Sequence, residues 1–268
     1  MKKEETCTAI ALYDLDKQAV DLRGLFTFFE EWFLQQGYTP MRGSVLGEGI
    51  KATKTKTFRH IKKVILEKEP RTLTSFWFGA YTSENWDDDA FDAILAVHLT
   101  IYSNRNVFNL YFHNSIVPFE RGLVETLIKD ISRYLRAYYG IVYQRDFDKG
   151  PGLYAGGVIT GLDRGSSLPE IQKERDNIGK WWKKYMLNTG TDGYHLGQLR
   201  DIYPMNLLSE AHLKETVFGK SLKEWIESSP EHGELKPLTD ILWEWWVPEN
   251  KIPTVCDELL PSGLIICA

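Results

Sequence analysis

Residues 92–113 read DAILAVHLTIYSNRNVFNLYFH. Two runs rich in apolar, β-branched and aromatic residues, 92–101 and 106–113, flank Tyr102-Ser103-Asn104-Arg105-Asn106. Serine and asparagine in that linker are turn formers, so the stretch predicts an antiparallel hairpin. Upstream, 58–67 and 72–81 read as two further strands and 6–13 as a first one. Between them, 17–36 places Leu22, Leu25, Phe26, Phe29, Trp32 and Phe33 at helical spacing, with Gly37 as the stop. Downstream, Pro118 opens a helix over 119–138 with Leu123, Leu127, Ile131, Leu135 and Tyr138 on one stripe. Strands in runs with helices set apart predict an α+β fold, mainly antiparallel sheet with helices packed on one face.

The second half reads as a strand over 140–146, then a glycine-rich stretch over 149–165. Ser167-Leu168-Pro169-Glu170 is a capping box that opens a helix carrying Ile171, Ile178, Trp181 and Trp182. A polar loop over 188–197 precedes an extended segment over 199–207. Ser221-Leu222-Lys223-Glu224 is a second capping box, opening a short helix with Trp225 and Ile226. A strand over 241–247, a helix near 251–260 and an edge strand over 263–267 complete the reading. No flexible linker marks a boundary near 139–150. One domain spanning 1–268 and two fused halves, 1–139 and 140–268, both remain open.

Composition narrows the function classes. The 268 residues carry a net charge of −5, too acidic for a general nucleic-acid binder, so no direct nucleic-acid contact is expected. Cys7, Cys256 and Cys267 form no CxxC spacing, which points to a reducing compartment without a disulfide framework. The amino terminus lacks a signal-peptide pattern, and no run approaches the roughly 18 apolar residues of a membrane span. A cytoplasmic protein with no membrane contact is expected. Nine Trp, thirteen Tyr and thirteen Phe build a large aromatic core and leave some rings as candidate anchors on a recognition surface.

Catalytic chemistry finds little support. The histidines at 60, 98, 113, 195, 212 and 232 show no metal-ligand spacing. His98 and His113 fall on the two strands of the hairpin but not opposite one another. Glycines at 150, 152, 156, 157, 161 and 165 match no phosphate-binding fingerprint, and turns requiring positive φ explain them better. There is no GxSxG elbow, and Cys256 has no basic neighbour closer than Lys251, so it reads as an inert thiol. No catalytic residue, cofactor or metal is therefore expected. The rival reading is an enzyme or sensor that binds a nucleotide or phosphorylated ligand at 149–165, with Arg145 and Arg164.

Two charged stretches stand out. Lys/Arg at 51, 54, 56, 59, 62, 63, 68 and 71 read as a lysine-protected edge strand or as a basic patch. Glu84-Asn85-Trp86-Asp87-Asp88-Asp89 occupies a loop between strands. Glu84, Trp86, Asp87, Asp88 and Asp89 are the first candidate partner contact, because acidic groups around an aromatic anchor suit a basic cleft. Tyr194, in the 188–197 loop, is the second.

The ordered series Leu199-Arg200-Asp201-Ile202-Tyr203-Pro204-Met205-Asn206-Leu207-Leu208-Ser209, Ser221-Leu222-Lys223-Glu224-Trp225-Ile226, Gly233–Leu238 and Leu242-Trp243-Glu244 resembles bacterial polymorphic-toxin immunity proteins, immunity family 52. The match covers roughly 195–265, and the first half agrees only in layout and length. The resemblance implies a non-enzymatic protein that binds a cognate toxin, a nuclease effector of a type VI secretion system, and neutralises it. It would do so by blocking the active site or the active assembly. The motif residues themselves read as scaffold, with Arg200 and Asp201 satisfying nearby backbone or each other. A regulatory module unrelated to toxins is a third reading, and the oligomeric state is open.

Overall fold

A strand buried on both faces over residues 7–13 lies near the middle of the architecture. The computed structural model describes residues 5–50, 55–81, 93–102, 105–157, 169–181, 183 and 197–267. Ten strands form one antiparallel sheet: β1 (Thr6–Leu15), β2 (Arg42–Gly47), β3 (Lys56–Thr57), β4 (Leu73–Ala80), β5 (Leu95–Tyr102), β6 (Arg105–His113), β7 (Ala137–Asp146), β8 (Met205–Leu208), β11 (Glu234–Pro237) and β12 (Trp243–Trp246). Their order is β11-β12-β8-β7-β1-β6-β5-β4-β2-β3, and β9 (Thr216–Val217) pairs separately with β10 (Lys220–Ser221). Eight α-helices accompany them among the described residues: α1 (Leu22–Gln35), α2 (Phe58–Glu67), α3 (Arg121–Ile131), α4 (Pro151–Ala155), α5 (Pro169–Trp181), α6 (Glu210–Lys214), α7 (Leu222–Glu227) and α8 (Ile252–Leu259). The expected α+β class with a large antiparallel sheet is what the chain adopts.

The chain divides into two compact units that are not contiguous in sequence. The first comprises residues 1–9, 15–136 and 144–152; the second comprises 10–14, 137–143 and 153–268. β1 and β7 thus supply residues to both.

In the first unit the β5–β6 hairpin is tighter than the sequence suggests, pairing Tyr102 with Arg105. Val97, Leu99, Phe108 and Leu110 are fully buried, while His98 and Asn109 pair on the opposite face. As expected, His113 lies away from His98. Asp21 starts α1 by accepting the Gly24 amide at 2.9 Å. The helix then lays a row of rings on the sheet. Phe26 stands 5.5 Å from Phe76 and 5.0 Å from Phe78, Phe29 lies 5.5 Å from Phe108, and Trp32 lies 5.9 Å from Phe112. Offset and edge-on pairs of this kind add about 0.5–1.5 kcal/mol each beyond area burial.

Two expectations fail here for identifiable reasons. Residues 58–67 form α2 rather than a strand, because Phe58, Ile61 and Ile65 recur at helical spacing and are the buried positions. Arg59 and Lys63 sit on its exposed face, while Lys56 lies in β3 at the edge of the sheet. The described part of the lysine-rich run is therefore divided between a solvated helix surface and a short edge strand, and Lys51 and Lys54 lie outside the described residues. Arg23 closes the C-terminal end of α2 by donating to the carbonyls of Ile65 and Lys68. The helix expected over 119–138 stops at Ile131, and Ser132 folds its hydroxyl back onto the Ile128 carbonyl at 2.8 Å. Ala137 already begins β7, so Tyr138 belongs to a strand.

In the second unit β7 pairs with β8, β8 with β12 and β12 with β11. The extended reading of 199–207 narrows to β8, and 263–267 contributes one parallel bridge, Leu199 to Ile265, instead of an edge strand. Ser221 and Glu224 close the predicted capping box at the start of α7. Between β9 and β10, Phe218 (φ 50°) and Gly219 (φ 81°) form a two-residue turn.

His98 yields a pH prediction for this fold. Its Nε2 lies 2.8 Å from the Thr100 hydroxyl, and burial pushes the imidazole from its ordinary 6.5 down to about 4. The unfolded chain therefore takes up a proton near pH 6.5 that the folded chain refuses until about pH 4. Stability contributed by this ring is present above that window and is lost as pH falls through it. Urea denaturation at about pH 7 and about pH 4.5 should show His98→Gln flattening this acid dependence by roughly 1–3 kcal/mol.

Candidate functional site

The segment that carries the family resemblance, 199–209, is built around a guanidinium. Arg200 is 0% exposed, and its backbone is fixed on both sides. Its amide donates to the Tyr139 hydroxyl at 3.0 Å, and its carbonyl accepts from Cys267 at 2.9 Å. One terminal nitrogen donates to the Tyr13 hydroxyl at 2.8 Å and to the Ala155 carbonyl at 3.2 Å. The other donates to the Tyr154 carbonyl at 2.8 Å. The guanidinium carbon also lies 4.4 Å from the centroids of both the Tyr154 and Trp181 rings. Arginine suits this place because its planar fork can donate in several directions while its faces stack on rings.

The neighbouring motif residues are tied down just as locally. Asp201 accepts the Ile202 amide at 2.8 Å, and burial raises its carboxyl above the ordinary value despite Arg200 beside it. Asn206 bridges backbone, accepting from Tyr203 at 3.1 Å and donating to its carbonyl at 2.7 Å. The Tyr203 hydroxyl meets that of Tyr154 at 2.9 Å. Ser209 and His212 form a cap in which the Ser209 amide donates to Nδ1 at 3.3 Å, which leaves the Nε2 proton for the Gln198 carbonyl at 3.2 Å. The imidazole stacks on Tyr139 at 5.2 Å.

Burial also sets the chemistry of the hydroxyls and thiols around Arg200. Tyr13 is pushed up to about 12, against the pull of the guanidinium, and Tyr139 rises in the same direction for the same cause. Cys256 and Cys267 are each pushed up to about 11 by burial, so their thiolates are disfavoured at neutral pH. The arrangement holds Arg200 inside a shell of neutral acceptors and rings. It positions backbone; it does not present a nucleophile.

The glycine stretch has a packing explanation where it is described. Gly150 and Gly157 have φ of 60° and 71°, values that favour glycine. A Cβ on Gly157 would fall 2.0 Å from the Trp181 ring that covers Arg200, so this glycine also makes room for the stack. Arg145 donates its Nε to the Lys149 carbonyl at 2.8 Å. Gly161, Arg164 and Gly165 lie outside the described residues. So do all the sequence-selected partner contacts: Glu84, Trp86, Asp87, Asp88, Asp89 and Tyr194. Among the described residues, no group of three or more His, Cys, Asp or Glu side chains is placed to hold a metal ion.

The surface carries what the motif does not. Among the described residues, Leu34, Leu46, Leu66, Phe218 and Leu260 are the exposed large hydrophobic side chains, and Phe218 is the most exposed of them at 59%. Sequence reading missed Phe218, although a bulky residue before Gly219, between two short paired segments, is a visible signal. It also missed the company Arg200 keeps, since Tyr13 lies 187 positions away along the chain.

No protein-family model matches this chain, and no curated protein matches it either. Among solved structures, a Pseudomonas aeruginosa T6SS protein shares the fold with a TM-score of 0.53 at 11% sequence identity. The alignment covers 97% of this chain and 73% of that one. No helix among the described residues is long and apolar enough to cross a membrane.

Removing the guanidinium should loosen the second unit. Arg200→Ala removes one of the donors to the Ala155 and Tyr154 carbonyls, which keep those from the Tyr13 hydroxyl at 2.9 Å and the Gly157 amide at 3.0 Å. It also opens a void between two rings, so we expect a loss of about 2–5 kcal/mol, mostly from the void. Arg200→Lys should recover only part of it, because an ammonium cannot reproduce the fork or the stacking. Equilibrium denaturation of the two variants checks both values.

Proposed function

We propose that this chain is an immunity protein of a type VI secretion system, one that binds a cognate toxin and neutralises it. The observation that carries the reading is the fold likeness to a T6SS protein, which extends over 97% of the chain. The resemblance of 199–209 and 221–226 to immunity family 52 supports the same direction. A nuclease effector is the toxin class that this resemblance implies, and inhibition acts by covering the toxin's active site or by blocking its active assembly.

The interior of the second unit is consistent with such a role. Arg200, Asp201, Asn206 and Ser209 are polar side chains of the resembling series, and each is engaged in holding backbone. A protein whose task is to present a fixed surface gains from such a frame, since rigidity lowers the ordering cost of association. A specific, stable complex buries about 1,200–2,000 Å² in total, and a few aromatic and charged anchors carry most of its affinity.

Co-expression tests the reading directly. The product of the adjacent open reading frame, induced inside a bacterial host, should arrest growth, and this chain expressed with it should restore growth. The two proteins should then co-elute on gel filtration. Continued arrest despite abundant folded chain would overturn the proposal.

A further inference from the structure

Two buried histidines of the second unit have both ring nitrogens engaged, and they are engaged in opposite ways. A neutral imidazole offers one N–H and one lone pair. His212 is matched to that form, because the Ser209 amide donates into Nδ1 at 3.3 Å and Nε2 faces the Gln198 carbonyl at 3.2 Å. His232 meets two acceptors instead. Its Nδ1 lies 2.6 Å from the carbonyl oxygen of Trp225, in the last turn of α7. Its Nε2 lies 3.1 Å from a carboxylate oxygen of Glu258, in α8. A neutral ring donates to only one of these and turns a lone pair toward the other. The imidazolium donates to both. The proton count is the same if the carboxyl keeps the proton, so the arrangement holds one proton more than a neutral ring beside a carboxylate.

The setting suits a cation. The ring lies on the Trp225 indole, with centroids 3.8 Å apart and planes 10° from parallel, and an indole face attracts positive charge. The His232 carbonyl accepts the Trp245 indole N–H at 2.7 Å, which fixes the backbone from which the ring projects. Lys251, just before α8, brings a second positive charge to this turn. Its ammonium is held by the Pro230 carbonyl at 3.0 Å and by the Glu231 carboxylate at 3.2 Å. On α7, Glu224 is drawn into the cap by Ser221 and Lys223 lies over the Trp243 ring. In β12, Glu244 alternates to the face opposite Trp245 and pairs with Lys236 at 3.4 Å. Glu227, Glu234 and Asp257 are exposed.

We propose that His232 and Glu258 form a proton-dependent latch that fastens α8 to the end of α7. The latch is closed while the pair holds its additional proton and opens as pH rises and that proton leaves. It does not depend on the immunity reading. The closed form binds a proton that the open form lacks, so the stability it contributes is present in acid and lost toward alkali, opposite in sign to His98. Val255 and Leu259 keep α8 attached through their own burial, so opening loosens the helix without unfolding the unit.

The experiment is hydrogen–deuterium exchange on the full chain, read by NMR at about pH 5.5 and about pH 8.5, on either side of the ordinary imidazole titration. Rates are corrected for the intrinsic pH dependence of amide exchange. At the lower pH both ring N–H protons of His232 should be visible, and the α8 amides should be about tenfold or more better protected than at the higher pH. Glu258→Gln separates the latch from other titrations. Its side chain is 46% exposed, so the fold tolerates the change, and a glutamine can turn its amide N–H toward Nε2 and serve the neutral ring. In that variant α8 protection should differ by less than about threefold between the two conditions. Equal α8 protection at both pH values in the parent, or greater protection at the higher one, would overturn the latch. So would a Glu258→Gln chain that keeps the parent's full pH dependence, because the dependence would then arise from another group.

Discussion

A permanent positive charge with no exposure to water constrains the second unit of this protein. Arg200 can remain inside only if its donors meet acceptors and its faces meet polarisable surface. The chain provides for both terminal nitrogens and both faces with groups drawn from distant parts of the sequence: Tyr13 in β1, Tyr154 and Ala155 in α4, and Trp181 at the end of α5. Each of those elements must be in register for the guanidinium to be satisfied. A single side chain therefore couples the placement of two helices to a strand, and a misplacement of any one leaves a buried charge short of partners. The backbone of the same residue holds Leu199–Asp201 to the C-terminal segment through Cys267. Gly157 belongs to the same constraint, because only a residue without a Cβ leaves room for the Trp181 ring.

The first unit is organised differently. Its stability is concentrated in an apolar layer, where Phe26, Phe29, Trp32 and Phe33 of α1 meet Phe76, Phe78, Phe108 and Phe112 of the sheet. Such a layer tolerates small shifts at modest cost, whereas a buried guanidinium with fixed donors does not. The contrast explains why the motif falls in the second unit: chemically demanding positions leave sequence signatures, and a greasy interface leaves only periodicity.

That difference also sets how much was legible in the sequence. The β5–β6 hairpin, α1, α7 and β12 could be read because each is specified locally, by alternation, helical spacing or a capping box within its own few residues. Residues 58–67 misled because Val64, Ile65 and Leu66 in succession suggest a strand, whereas the buried positions, Phe58, Ile61 and Ile65, recur at helical spacing and Phe58 packs on both α1 and the sheet. Pattern alone carried α3 through Leu135 and Tyr138, where the chain in fact turns after Ser132 to enter β7. The partners of Arg200 were out of reach for a simpler reason. Nothing within a window of local sequence indicates a hydroxyl at Tyr13 or a carbonyl at Tyr154.

A recognition surface is harder still to read, and for a physical cause rather than for lack of data. A catalytic site needs particular groups at particular separations, so its residue types recur in recognisable spacings. A contact surface needs only complementary shape and charge, which many residue types supply. In this chain the motif positions are occupied in holding β8 and its neighbours, and the frame places no demand on the side chain at the tip of the β9–β10 turn beyond a tolerance for positive φ. Residues free of the frame are the ones that can be matched to a particular partner. Likeness in 199–209 therefore speaks to architecture, and side chains that the frame leaves unassigned are free to vary without disturbing it.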